Sequence, residues 1–254
     1  MLQSYKQPYL LTICSGKGGV GKSVLTANIA YQLAAYKQKV LVIDADLTFP
    51  NQHLMFGIEP NLRIDDWLFG RADIDRVICE VAPNLSLVAG AVGNIETDLQ
   101  NYVSCIDLYH SILQETDFDF ILIDANAGIS NHLVECASIS DKIAIVITDE
   151  PTSIIDAYAL IKILKEYADN RKMNLIVNNI IDDDDANEII QKINKATQHF
   201  LKMSIDILGI VNYDANIKKS IIAQELLSVS QPETSTVSAF KKIADALIAI
   251  NSHS

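Results

Sequence analysis

Short apolar segments rich in valine and isoleucine alternate along the chain with longer segments of helical period. The apolar segments are continuous, and this is how strands buried on both faces read. They predict six strands: Tyr9–Cys14, Val40–Ile43, Phe120–Ile123, Ile143–Ile147, Leu175–Val177 and Ile207–Val211.

The segments between these strands carry apolar residues at steps of three and four, as helices that cover a sheet do. Clear examples are Ser23–Tyr36, Thr152–Ala168 and Asp185–Leu201. Strands and helices in alternation predict an α/β fold with a doubly wound, mostly parallel sheet.

Composition supports a folded chain with a large core, since 49% of the 254 residues are hydrophobic and 20% are charged. We find no linker rich in glycine, serine or proline, so we predict a single domain over residues 1–254. The formal net charge of -12 disfavours binding to nucleic acid or anionic lipid. Without a membrane-spanning run or a secretory signal, a cytoplasmic protein is expected.

The four cysteines are far apart in the sequence and form no C-x-x-C pair. Neither a local zinc site nor an iron–sulfur carrier is indicated by this spacing. Reduced, unpaired thiols are expected.

A glycine-rich segment directly after the first strand carries the strongest functional signal. It satisfies G-x-x-x-x-G-K-[ST] in a strand–loop–helix context, which predicts a loop whose backbone N–H groups surround phosphates. Lys22 would contact the β- and γ-phosphates, and the Ser23 hydroxyl would bind Mg²⁺. The predicted phosphate contacts are Gly16, Lys17, Gly18, Gly19, Val20, Gly21, Lys22 and Ser23.

A second lysine, Lys17, stands ahead of the glycines in KGGVGKS. This segment resembles the deviant Walker A motif of the MinD/ParA family of ATPases. The resemblance implies an ATP-bound homodimer in which Lys17 reaches the partner's phosphates and takes part in catalysis with Lys22. A solvent-exposed lysine beside the loop is the alternative.

The second strand runs into Asp44-Ala45-Asp46, and alternation in an extended segment puts both carboxylates on one side. Two carboxylates at the carboxyl edge of the sheet can hold Mg²⁺ and orient a water. The pattern is similar to the family's switch I, which implies that Asp46 positions the attacking water and Asp44 supports the metal. A structural role for both is the alternative.

The strand predicted at Phe120–Ile123 ends in Asp124, followed four residues later by Gly128. This spacing is typical of a Walker B and switch II, in which Asp124 assists the metal and the Gly128 N–H senses the γ-phosphate. The family pattern D-x-x-A-G-I is present as DANAGI.

Adenine is favoured as the base, because the strand at Leu175–Val177 is followed by Asn178-Asn179 without the acid of N-K-x-D. The resemblance implies that Asn178 contacts the adenine edge; a loop-capping asparagine is the alternative. ATP or ADP with Mg²⁺ is therefore the expected cofactor set.

The segment 149–162, DEPTSIIDAYALIK, resembles the signature of the FlhG branch of the family, which regulates the number of flagella. This resemblance implies protein partners in a flagellar or polar assembly, and it implies that Glu150 reaches the partner's ribose in the dimer.

Attachment to the inner face of the cell membrane stays open, but the last helical pattern, from Val237 to Ile248, reads as a core helix with Lys241 and Lys242 on its polar face. A DNA-partition ATPase of the ParA type is the other open alternative; Lys218-Lys219 and Lys241-Lys242 are its candidate basic residues, and nucleic-acid binding is not expected from them.

Overall fold

The computed structural model describes residues 7–46, 48–91, 104–115, 117–167 and 172–252. One eight-stranded sheet has the order β3-β4-β2-β5-β1-β6-β7-β8. Its strands are Tyr9–Ser15 (β1), Val40–Ala45 (β2), Cys79–Ala82 (β3), Leu85–Val88 (β4), Phe120–Ala127 (β5), Lys142–Ile147 (β6), Lys172–Ile180 (β7) and Asp206–Asn212 (β8).

All paired strands run parallel except β3 and β4. The predicted doubly wound α/β sheet is therefore confirmed, as are its six predicted strands. The β3–β4 hairpin was not predicted, since its strands have four residues each and the edge strand β3 is only half-buried. Asn84, in the left-handed region at φ 65°, makes the turn between them.

Helices connect the strands, several of them a single turn long. They are Lys22–Ala35 (α1), Gln52–Met55 (α2), Ile64–Leu68 (α3), Ile74–Val77 (α4), Cys105–Glu115 (α5), Asn131–Ile139 (α6), Pro151–Tyr167 (α7), Asp183–Ala196 (α8), Ala215–Ala223 (α9), Leu227–Ser230 (α10) and Ser235–Asn251 (α11). The helix predicted to reach Leu201 ends earlier, at Ala196, and continues as a π-helical turn over Thr197–Leu201. Lys202 closes that turn with a left-handed φ of 55°.

Helices cover both faces of the sheet. On one face α1 and α11 pack over β1, β2 and β8, and the apolar side of α11 is fully buried there. The opposite face is covered by α5 to α8. The prediction of α11 as a core helix is thus confirmed. Within the described residues, no helix has the length and apolarity to cross a bilayer.

The parallel strands β1, β2, β5 and β7 all end at one edge of the sheet. The loops that follow them carry the sequence-predicted site residues, because chain segments after parallel strands meet at that edge.

Candidate functional site

The loop between β1 and α1 needs glycine at two crowded positions. Gly21 has a φ of 92°, and a Cβ there would lie 2.4 Å from Nδ2 of Asn178. A Cβ on Gly16 would lie 2.4 Å from the backbone carbonyl carbon of Asp156. The loop is therefore pressed between β7 and α7, and it leads directly into the N-terminus of α1, which favours an anion.

The first turn of α1 presents polar side chains toward β5. Lys22 is 7% exposed, and its charge acts on the carboxylate of Asp124. Ser23 also hydrogen-bonds Asp124. Buried Thr26 donates through Oγ1 to the Lys22 carbonyl at 3.0 Å and to Asp124 Oδ1 at 3.4 Å. Thr26 was not predicted, although its position three residues after Ser23 puts it on the same helix face.

Asp44 and Asp124 lie side by side, since they are register partners on the adjacent strands β2 and β5. Both are fully buried. Burial, together with the charge of Asp124, raises the pKa of Asp44 well above its usual range. Burial likewise raises the pKa of Asp124, against the opposing effect of Lys22. Two neighbouring buried carboxylates make a strong site for a cation.

Gln52, at the start of α2, bridges this pair and was not predicted. Its Nε2 donates to Asp124 Oδ2 at 2.7 Å and to the Ser23 carbonyl at 3.1 Å, and its backbone N–H donates to Asp44 Oδ2 at 2.9 Å. No sequence pattern indicates this residue, because only the tertiary fold brings α2 over β5.

The residues at this point fit Mg²⁺. Gln52 Oε1 is buried and has no hydrogen-bond partner among the described residues. The site therefore offers hard oxygen donors, and its carboxylates carry the negative charge that a divalent cation prefers. The donors are Gln52 Oε1, the carboxylates of Asp44 and Asp124, and the hydroxyl of Ser23. The predicted metal ligands are thus brought together.

Asp46 begins the loop after β2 and is partly buried. Its Oδ1 accepts hydrogen bonds from the backbone N–H groups of Thr48 at 3.1 Å and Phe49 at 3.0 Å. These two bonds fix the orientation of the carboxylate beside the metal-type donors.

Lys17 lies on the outer side of the loop. Its Nζ forms an ion pair with Glu150 and donates a hydrogen bond to Thr152 Oγ1 at 3.1 Å. The side chains of Lys17 and Glu150 are 35% and 58% exposed. The two residues expected to reach a partner protomer are thus held to each other within one chain.

Gly128 follows β5 with a φ of 80°, a conformation that favours glycine. Its N–H donates to the carbonyl of Ser15 at 2.9 Å. Contact of this N–H with a γ-phosphate therefore requires that hydrogen bond to break.

Asn178, near the end of β7, is 8% exposed, and its Nδ2 donates to the Val20 carbonyl at 2.8 Å. It braces the phosphate loop in this arrangement. Contact with a base remains a prediction.

Two cysteines come together beside this site, contrary to the expectation of unpaired thiols. A disulfide joins Cys105, at the start of α5, to Cys136 on α6. His132 Nε2 lies 3.3 Å from the Cys105 sulfur, and burial lowers the pKa of this imidazole. Sequence spacing could not indicate the pair, because it is formed by two helices packing together. Burial raises the pKa of Cys14 to about 12, so that thiol is inert.

A glycine loop leading into a helix, a buried lysine, and two carboxylates near the carboxyl ends of adjacent parallel strands define a P-loop NTPase. The sequence profile of the CobQ/CobB/MinD/ParA nucleotide binding domain matches residues 11–227, and the chain belongs to this family. It is an ATPase of the MinD/ParA type, as predicted.

Two relatives and one solved structure are similar to this chain over most of its length. The antiactivator FleN of Pseudomonas aeruginosa is 27% identical over 238 residues, which cover 92% of this chain and 84% of FleN. The flagellum site-determining protein YlxH of Helicobacter pylori is 30% identical over 94% of this chain and 81% of its own length. Among solved structures, the MinC:MinD cell division protein complex of Aquifex aeolicus matches with a TM-score of 0.75 and 29% identity, covering 95% of this chain and 96% of the matched chain.

Proposed function

We propose that this chain is an ATP-driven switch that dimerises with nucleotide bound between two copies and separates after hydrolysis. The observation that carries the proposal is the different placement of two lysines in one phosphate loop. Lys22 is buried against Asp124, where it can serve the chain's own nucleotide. Lys17 lies on the exposed side, where a second copy can approach.

Lys17 can leave Glu150 and bind the phosphates of a second copy at little cost in free energy. An ion pair exposed to this extent contributes about 0–1 kcal/mol to stability. A triphosphate carries more charge than a carboxylate, so a partner's phosphates can draw Lys17 away from Glu150. Glu150 is then free to contact the partner as well, as the resemblance to the FlhG branch implies.

Ser23, Asp44 and Asp124 would hold Mg²⁺, with Gln52 Oε1 as a further oxygen donor. The ion supplies positive charge that neutralises the phosphate oxygens. Asp46 would orient the attacking water, since its carboxylate is fixed by Thr48 and Phe49 at the same edge of the sheet. Asn178 and Gly128 would contact the base and the γ-phosphate respectively.

For the cellular role, we propose control of the number or placement of flagella. Support comes from FleN and YlxH, whose names describe an antiactivator and a flagellum site-determining protein and which this chain matches over more than nine tenths of its length. The partners would be proteins of a flagellar or polar assembly, reached in the cytoplasm or at the inner face of the membrane.

Flagella counted by electron microscopy in the host organism test this role. Deletion of the gene is expected to change their number or position, and the wild-type gene to restore both. A gene carrying Lys17→Ala should fail to restore them, whereas Lys218→Ala, at an exposed lysine on α9, should succeed. Unchanged flagella after deletion would remove the cellular role and leave the ATPase switch intact.

A further inference from the structure

A compact group of metal-ligating side chains lies outside the phosphate machinery. One donor atom each from Cys105, His132 and Cys136 falls within 4.8 Å of the other two, and all three residues are buried. The Cα atoms of the two cysteines are 5.6 Å apart. Thiolate sulfur and imidazole nitrogen are the donors that Zn²⁺ prefers in proteins.

We propose that the reduced protein binds Zn²⁺ through Cys105, His132 and Cys136. A disulfide between the cysteines needs no imidazole, yet His132 Nε2 points to the Cys105 sulfur from 3.3 Å.

The protein holds the ligands in place before any ion binds. Ser104, next to Cys105, donates through Oγ to Glu135 Oε1 at 2.6 Å, and Glu135 precedes Cys136. This hydrogen bond joins the start of α5 to the middle of α6 directly beside the cluster. Ligands whose helices are fixed lose less entropy on binding.

Three protein ligands leave one position of a tetrahedral zinc site for a further ligand. The cluster borders a small apolar cavity of about 10 Å³, which is lined by Cys105, His132 and Tyr109 together with apolar side chains of the surrounding strands and helices.

Binding converts two thiols to thiolates and releases two protons to solvent. Oxidation of the zinc-bound thiolates by a disulfide such as oxidised glutathione reverses binding: the Cys105–Cys136 bond forms, the glutathione disulfide is reduced to two thiols with two protons taken up from solvent, and Zn²⁺ is released. The ion would link α5 to α6, the helix that begins three residues after Gly128. The site therefore adjoins switch II without containing a residue of the ATPase machinery.

Titration of the full-length, reduced protein with Zn²⁺ in competition with a chromophoric chelator tests the proposal. One ion per chain is expected, with affinity reduced at least about tenfold by His132→Gln and by Cys136→Ser. Cys79→Ser on β3, which removes a half-buried thiol of the edge strand, should bind like wild type. Circular dichroism and ADP binding show whether each variant is folded.

Co²⁺ gives a readout that does not depend on the chelator. Reduced wild type should show sulfur-to-cobalt charge-transfer absorption, which is lost in Cys136→Ser and after treatment with oxidised glutathione. The proposal is overturned if reduced wild type leaves equimolar Zn²⁺ with the chelator, or if His132→Gln binds as tightly as wild type. Either result would show that the cluster is only a disulfide with a histidine beside it.

Discussion

At the scale of single residues, the site concentrates negative charge where water is excluded. Asp44 and Asp124 are adjacent in the sheet and fully buried, and the pKa of each is raised. Charged forms of both residues destabilise the protein without a bound cation, because burial and mutual repulsion oppose ionisation. Function and stability therefore make opposite demands on these two side chains.

Relative to wild type, Asp44→Asn should gain stability in the nucleotide-free protein as pH rises from 4 toward neutral. The folded-state pKa of Asp44 is above its ordinary value of 3.8, so its favourable contribution is complete below pH 3.8 and is lost as pH rises through the raised pKa. Between pH 3.8 and the raised pKa of Asp44, wild type loses at most about 1.4 kcal/mol of unfolding free energy per pH unit relative to Asp44→Asn.

Urea unfolding of both proteins from pH 4 to pH 8 measures this difference. The advantage of Asp44→Asn should be smallest at the acidic end and grow toward neutral pH, while its stabilisation by Mg²⁺ and ADP is lost. An advantage that is constant with pH would contradict a raised pKa for Asp44.

At the scale of elements, the burial of the last helix, α11, shows whether it packs in the core or contacts a membrane. Val237, Phe240, Ile243, Ala244 and Leu247 are all fully buried against α1 and the sheet. Its apolar side is therefore already occupied by the core. Lipid contact through that side would require the helix to leave the fold.

Phe240→Ala is expected to lower the free energy of unfolding by about 3–5 kcal/mol, because it removes a buried aromatic ring and leaves a cavity. Ile222→Ala on α9, where the side chain is 74% exposed, is the matched control and should change it by less than about 0.5 kcal/mol. Chemical denaturation measures both. Equal small effects would show that α11 is not part of the core.

Elements also show what the sequence could predict and what it could not. The six parallel strands from β2 to β8 in the sheet order and the phosphate loop were predicted because continuous apolar runs and a fixed glycine spacing are local signals. The β3–β4 hairpin lacks such a signal, since its strands are short and one is half-buried. Gln52 and the Cys105–Cys136 pair depend on how distant segments pack, and no local pattern encodes that.

At the scale of the whole molecule, the account depends on a second copy of the chain. In the proposed mechanism, each chain would supply Lys22, the metal-type donors and Asp46 for its own nucleotide. Lys17 and Glu150 lie on the exposed side and hold each other. We propose that ATP between two copies breaks this pair in both and joins the copies face to face.

Molar mass in solution, measured by light scattering with saturating Mg²⁺ and ATP, tests this most directly. Asp46→Asn is the protein to use, because its amide oxygen can still accept from the N–H groups of Thr48 and Phe49 while its hydrolysis is expected to be blocked. It should have twice the 28.0 kDa mass of the chain, and the double variant with Lys17→Ala should remain at 28.0 kDa. A nucleotide-saturated Asp46→Asn protein that stays at 28.0 kDa, or a double variant that still dimerises, would contradict the account.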